Sequence, residues 1–304
     1  MSRHDGFMIK SIDILCIGSV LWDVVGRSPS VMRLGSDVPG RIERLPGGVA
    51  MNIAMTLARF GMTPALLTAI GRDREGDELM IEAQNMGLVT DYVYRSEDLP
   101  TDSYMAVEGA NGLIAAIADA HSLEQAGAKI ITAMGDGRLG DEATPYNGLI
   151  ALDGNLTVDL LRKISSSPLF ASADLRVAPA SPGKADRLLA LLGHPVATLY
   201  VNLEEANLLT RRDCTSSEQA ALALIERGAK RVLVTDGGKS ASDATADRVI
   251  TKQPPSVLVT RVTGAGDTFM AAHIAAERRG ETRDDALETA LNAAATYVSG
   301  EHPR

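Results

Sequence analysis

Residues 257–269 read VLVTRVTGAGDTF. An apolar run over residues 257–262 meets three small residues, Gly264, Ala265 and Gly266, then Asp267, and an apolar segment over residues 269–276 follows. The pattern predicts a buried strand, a tight turn and a helix. Small residues let the backbone come close to a ligand, and the N–H groups at a helix start favour an anion. Asp267 falls in the first helical turn, beside that anion hole. Aspartate is also an ordinary cap at such a position, so the string alone leaves cap and catalysis both open.

The same grammar recurs along the chain. Apolar runs at residues 12–17, 65–70, 149–152, 198–201 and 231–235 lead to Gly18, Gly71, Asp153, Asn202 and Asp236-Gly237. Runs without polar alternation suit strands buried on both faces of a parallel sheet. Helical patterns fill the gaps. Thr215-Ser216-Ser217-Glu218-Gln219 offers two overlapping capping boxes, Ala221, Leu222, Leu224 and Ile225 form a stripe, and Gly228 suits the stop. Residues 284–298 repeat the pattern with Leu287, Leu291 and Ala294 on one side. Strand–helix alternation means an α/β fold, whose ligands bind at the carboxyl rim of the sheet.

Two stretches break the alternation. Residues 24–46 hold Gly, Pro and charges with short β-like pieces. Residues 103–118, SYMAVEGANGLIAAIA, predict a hairpin of 104–107 and 113–117 turned by Gly109-Ala110-Asn111-Gly112. In a parallel protein such a hairpin is an edge addition or a lid. With no repeat and no low-complexity linker, residues 1–304 are expected to form a single domain, with lid segments at about 24–46 and 100–120.

The composition fits this reading. Over 304 residues, 45% are hydrophobic and 23% charged, which excludes a disordered chain, a collagen-like fibre and a disulfide scaffold. No apolar run reaches the roughly 18–20 residues that cross a bilayer. The polar start, carrying Arg3, Asp5 and Lys10, does not read as a signal peptide. Cys16 is expected in the core and Cys214 in a loop, both reduced, with a cytoplasmic location as the default. A net charge of −9 and the absence of a basic cluster argue against nucleic acid as a partner, and no membrane partner is expected. His4, His121, His194, His273 and His302 form no metal spacing.

Further motifs are weaker singly. Gly47-Gly48 opens a small-residue helix with Asn52 on it, which allows close approach of a polyhydroxyl ligand but also serves plain helix–sheet packing. Asn202 and Glu205, three apart on one helical face, could hold a hydrated magnesium ion with phosphate, or simply begin a surface helix; Glu204 would point elsewhere. Thr235-Asp236-Gly237-Gly238-Lys239-Ser240 ends like a P-loop, but Leu233 stands where the first glycine is required. No G-x-G-x-x-G follows the first strand, where Gly18-Ser19-Val20-Leu21 stands, so a dinucleotide fold is disfavoured.

Together, in this order and spacing, these motifs resemble the ribokinase-like (PfkB) family of sugar and nucleoside kinases. The glycine pair matches its first signature, residues 263–269 its second, Asn202 and Glu205 its N-x-x-E element, and Gly71-Arg72-Asp73-Arg74-Glu75-Gly76 a common G-x-D-x-x-G turn. The resemblance implies a three-layer α/β sandwich with a mostly parallel sheet and a small β lid. It further implies transfer of the ATP γ-phosphoryl group to a hydroxyl, with Asp267 as general base and the amides of Gly264, Ala265 and Gly266 as anion hole. Asn202 and Glu205 would then position magnesium and phosphate, Thr235 and Gly237 the nucleotide phosphates, and Asn292 the adenine. Asp23, Gly47, Gly48 and Asn52 would hold the acceptor.

Several stretches resemble pseudouridine kinases more than ribokinases or fructokinases: residues 18–23, 103–107, 118–119, 153–156, 173–174 and Lys184-Ala185. Ser103 and Tyr104 are then candidates to contact the base, with Asp119 also in the substrate set; a plain sugar is the alternative acceptor. Arg261 stands where the family usually has Asp or Asn helping to bind an activating monovalent cation, which puts potassium dependence in doubt. Paired lids imply a homodimer. A catalytically silent binding protein on the same fold is the reading from another class, and loss of the base would be its mark; Asp267 is present.

Overall fold

A computed structural model describes residues 11–33, 35 and 37–300. The polar start before Ser11, His4 and His302 lie outside the described residues. In chain order the elements are β1 (Ile14–Ile17), β2 (Leu21–Arg27), β3 (Arg41–Gly47), α1 (Val49–Arg59), β4 (Pro64–Leu67), β5 (Ala69–Gly71), α2 (Arg74–Asn85), β6 (Tyr94–Ser96), β7 (Ser103–Gly109), β8 (Gly112–Asp119) and α3 (His121–Ala126). They continue with β9 (Leu149–Asp153), α4 (Val158–Ser166), β10 (Asp174–Ala178), β11 (Ala197–Asn202), α5 (Leu203–Thr210), α6 (Ser217–Glu226), β12 (Arg231–Thr235), β13 (Ala241–Thr245), β14 (Val249–Lys252), α7 (Ala265–Arg278) and α8 (Arg283–Ser299).

The main sheet has the order β14-β13-β12-β11-β10-β9-β1-β4, parallel from β12 to β4 and antiparallel at β13 and β14. Alternate residues of β1 feed two cores. Leu15 and Ile17 face a cluster built with α3 to α6, while Ile14 and Cys16 face one built with α1, α2, α7 and α8. This is a three-layer sandwich with all four β1 side chains fully buried, which explains their unbroken apolar run.

The short runs expected at 149–152, 198–201 and 231–235 are β9, β11 and β12. The run at 65–70 divides at Thr68 into β4 and β5, and β5 pairs with β6 instead of continuing the main sheet. Residues 257–262 are not a strand. Their backbone turns to α8: the N–H groups of Thr260 and Arg261 donate to the Val298 carbonyl at 2.8 and 3.2 Å, and Leu258 is 82% exposed. The signal missed β10 and β13, which carry charges inside the sheet. Arg176 and Arg231 pair with Asp174, Asp243 and Glu277, and Arg283 joins at Asp243, so the buried Arg176 and Asp243 have partners. His273, hydrogen-bonded to the Tyr200 hydroxyl at 2.9 Å, is pushed down to about 4 by burial and stays neutral.

A second sheet, β3-β2-β7-β8, stands apart from the first. The hairpin predicted over 103–118 is β7 and β8, and the β-like pieces of 24–46 are β2 and β3. Two aspartates moor it. Asp73 caps α2 at the Gly76 N–H (2.7 Å) and also accepts from the Thr101 N–H at 2.7 Å, just ahead of β7. Asp102, 4% exposed, accepts from the N–H groups of Ser122 and Leu123, just beyond β8, while its carbonyl accepts from Trp22 of β2.

Candidate active site

Two helices begin at glycines in the left-handed region and bring their first turns together. Gly48 (φ 93°) precedes α1, and a Cβ there would meet the Ser19 carbonyl at 2.5 Å. Gly264 (φ 86°) precedes α7, and a Cβ there would meet the Tyr297 hydroxyl at 2.6 Å. Only glycine satisfies both constraints. One turn into α1, the Asn52 amide donates to Asp267 Oδ2 at 2.9 Å. Burial pushes the Asp267 carboxyl up to about 7; Asn52 opposes the shift, and the nearby charges of Asp153, Asp23 and Glu205 add to it.

The three amides expected as an anion hole at the start of α7 are not equivalent. The Ala265 N–H donates to the Val262 carbonyl at 3.1 Å, whereas those of Gly264, Gly266 and Asp267 make no hydrogen bond among the described residues. No atom lies within 4 Å of where a Gly266 Cβ would stand, so that amide is approachable. Tyr297, which carried no sequence signal, fixes this loop. Its hydroxyl donates to the Thr263 carbonyl at 2.8 Å, while Arg261 stacks 3.9 Å over its ring and donates to its carbonyl at 2.7 Å.

Asp23 of β2 packs against Gly47, where a Cβ would collide with its carboxylate. Burial pushes Asp23 up to about 6. Register decides which lid residues accompany it. Asp23 pairs with Leu45 and Tyr104, so these share its face, and the Tyr104 hydroxyl is raised by burial and then by the Asp23 charge. Ser103 pairs with Trp22 and Asp119, which puts Ser103 and Asp119 on the opposite face, where Asp119 holds His121 at 2.8 Å. The structure thus brings Tyr104, and neither Ser103 nor Asp119, to Asp23.

Asn202 and Glu205 form a reciprocal capping box at the start of α5, with bonds of 2.9 and 2.8 Å. Burial pushes Glu205 up to about 7, against the Asn202 N–H and helped by Glu204, which is itself exposed. Thr235 is the parallel partner of Asn202, so both stand on the carboxyl rim, and Gly237 follows in the left-handed region at φ 55°. Asn292 lines a cavity of about 560 Å³ with Pro255, Val257, Leu258, Ala295, Thr296 and Ser299. The run misread as a strand is one wall of it.

A buried network joins the ends of β1 and β9, through residues to which the sequence resemblance assigns no site role. Asp153, fully buried, accepts from the Ser19 N–H at 2.7 Å, the Ser19 hydroxyl at 2.5 Å, and the Asn155 N–H and amide at 2.7 and 2.9 Å. Gly18 has no Cβ because Asp153 occupies that space. Ser19 and Asp153 are 134 residues apart, which only the topology reveals.

Residues 11–303 match the model of the pfkB family carbohydrate kinases. The chain belongs to that family. Its members are phosphotransferases acting on sugar or nucleoside hydroxyls, and this enzyme is one of them. It is 28% identical to the pseudouridine kinase of Escherichia coli K12 over 264 residues, covering 85% of this chain and 81% of that one. Its fold matches a carbohydrate kinase from Agrobacterium tumefaciens at TM-score 0.77 with 26% identity, over 94% of this chain and 90% of that one. A ribokinase from Thermotoga maritima matches at TM-score 0.78 with 20% identity, over 95% and 93%, which places the fold as ribokinase-like.

The raised Asp267 pKa has a stability consequence. A carboxyl whose folded pKa lies above its unfolded value stabilises fully below the unfolded value and loses that contribution as pH rises towards about 7. Asp267→Asn is therefore expected to melt at a higher temperature than the wild type at pH 8, with the gap shrinking towards pH 5, while losing about 10²–10⁴-fold in turnover. Thermal unfolding of both proteins at the two pH values checks it; a variant less stable at pH 8 contradicts it.

Proposed function

We propose that the enzyme transfers the ATP γ-phosphoryl group to pseudouridine, forming pseudouridine 5′-phosphate, with a free sugar as the alternative acceptor. The observation that carries the kinase chemistry is the Asn52–Asp267 bond at 2.9 Å, which aims a carboxylate beside the free amides of Gly264 and Gly266. Asp267 accepts the proton of the attacking hydroxyl, and those amides stabilise the developing charge. Asp23 accepts hydrogen bonds from a diol, since a carboxylate takes several donors. A nucleoside is favoured over a sugar because Tyr104 offers an aromatic ring on the same lid face as Asp23, and because of the similarity to a pseudouridine kinase.

ATP takes its adenine to the Asn292 cavity and its phosphates to Thr235, Gly237 and Asn202. Magnesium fits the donor set as an ion carried on the nucleotide. Glu205 supplies a single carboxylate, and among the described residues no three acidic, His or Cys side chains are placed to hold a metal ion together, which suits an ion that keeps its waters. When bound, it neutralises phosphate charge. Arg261, fixed on Tyr297, places a permanent positive charge beside the Thr263–Gly264 loop, so potassium is not required.

Residues 1–304 function as one kinase domain with a lid over the acceptor. The lid's outer face presents Ile42, Met105 and Ile117, each more than half exposed, beside Val24. An apolar face of this kind supports a homodimer through the lid. Among the described residues no helix is long and apolar enough to cross a membrane; we assign the cytoplasm, where Cys16 and Cys214 stay reduced.

ADP release with magnesium-ATP and pseudouridine, uridine, adenosine, ribose, fructose or 2-keto-3-deoxygluconate, with and without potassium, tests the assignment. The highest kcat/KM is expected for pseudouridine, unchanged by potassium. A free sugar at the top would overturn the nucleoside reading and the role of Tyr104, and potassium activation would overturn that of Arg261. For the dimer, light scattering at micromolar concentration should give twice the chain mass for the wild type and the chain mass for the Ile42→Lys, Ile117→Lys double variant. A monomeric wild type sinks it.

A further inference from the structure

We propose that Lys184 is a further catalytic residue, its ammonium meeting the phosphoryl group in flight between nucleotide and acceptor; this rests on the kinase reading above. The topology puts it at the crossing point. β10 lies between β9, whose end carries Asp153, and β11, whose end carries Asn202. The chain leaving β10 forms the 3-10 stretch Pro182–Ala190, packed against α4 and α5. Lys184 therefore follows the strand that lies between the end of β9, whose Asp153 network ties to the start of α1, and the end of β11, which carries Asn202.

The cation is held but not neutralised. Lys184 donates to Asn155 Oδ1 at 2.5 Å and makes no ion pair among the described residues. An ammonium has three donors, so two remain. Its neighbour Arg187 is committed by contrast, bonded to Glu124 and to the carbonyls of Asn155 and Leu156. Asn155 is itself fixed: its amide donates to Ser19 Oγ at 2.9 Å and to Asp153. Ser19 Oγ accepts from the Val49 N–H at 2.9 Å, one helical turn before Asn52. A continuous set of hydrogen bonds thus sets Lys184 in register with Asn52 and Asp267.

The chemistry asks for such a group. The transferring phosphoryl spreads negative charge over three oxygens, and a compact, mobile ammonium can follow it. In the step, the acceptor oxygen forms its bond to phosphorus, the bond from phosphorus to the bridging oxygen of ADP breaks with its electron pair leaving on ADP, and the hydroxyl proton passes to Asp267. Lys184 keeps its proton throughout and adds to the amides of Gly264 and Gly266.

The test compares wild type, Lys184→Ala, Lys184→Arg and Asp267→Asn with magnesium-ATP and the best acceptor. Lys184→Ala is expected to lose about 10²–10³-fold in kcat, with both KM values within about threefold. Lys184→Arg should recover at least about tenfold of that loss, with the pH inflection of kcat/KM and the melting temperature of both variants near those of the wild type. Retained kcat with a raised acceptor KM would make Lys184 an acceptor ligand and overturn the proposal. So would a loss accompanied by a moved inflection or a lowered melting temperature, which would make it a counter-charge for Asp153. Equal rates for wild type and Lys184→Ala, with Asp267→Asn inactive, would reject Lys184 and leave the kinase standing. A wild type no faster than Asp267→Asn would reject both.

Discussion

One hydrogen bond, from the Asn52 amide to the Asp267 carboxylate, joins the two helices on which the proposed chemistry depends. For it to exist, α1 and α7 must start side by side above the sheet, each from a glycine with positive φ. Their packing in one apolar layer, through Met51, Ala54, Met270 and Ala271, supplies the rigidity that holds a hydrogen bond between residues 215 positions apart. The bond keeps the carboxylate aimed while its surroundings press it toward protonation. Loop glycines, lid and buried network are all arranged around that opposition.

The site also concentrates acid. Asp23, Glu205 and Asp267 are each pushed above the ordinary carboxylate range, in every case chiefly by burial. Such crowding costs stability in the free enzyme. Under the proposed function it becomes useful when partners arrive, since a nucleotide bearing a divalent ion and a hydroxyl-rich acceptor would supply what the carboxylates lack. The amino end of the sheet is the opposite case: Arg176, Arg231 and Arg283 meet Asp174, Asp243 and Glu277 within the protein and need nothing from outside.

Much of this was legible in the sequence, for physical reasons. Strands buried on both faces cannot alternate, so β1, β9, β11 and β12 announced themselves, and their polar ends marked the rim. β10 and β13 stayed hidden because they carry charges, which find partners within the strand and on neighbouring elements, Glu277 and Arg283 among them. Residues 257–262 misled because their apolar side chains wall a cavity and their amides bond to α8. The strict two-residue period of β7 separated Tyr104 from Ser103, a distinction that needs the register with β2. Asp267, Asn52 and the glycines stood out by local motif as candidates, with roles supplied only by the family resemblance; Tyr297, Ser19 and Asp153 make contacts that only folding creates.

The central claim is that the ionisation of Asp267 governs the reaction, and the pH dependence of kcat/KM for the acceptor tests it most directly. Between about pH 5 and pH 9, the rate should rise tenfold per pH unit on the acid side and level off above an inflection near 7, because only the ionised carboxylate accepts the proton. The inflection should vanish in Asp267→Asn. A wild-type profile flat through pH 7, or an inflection that survives in that variant, would contradict the account.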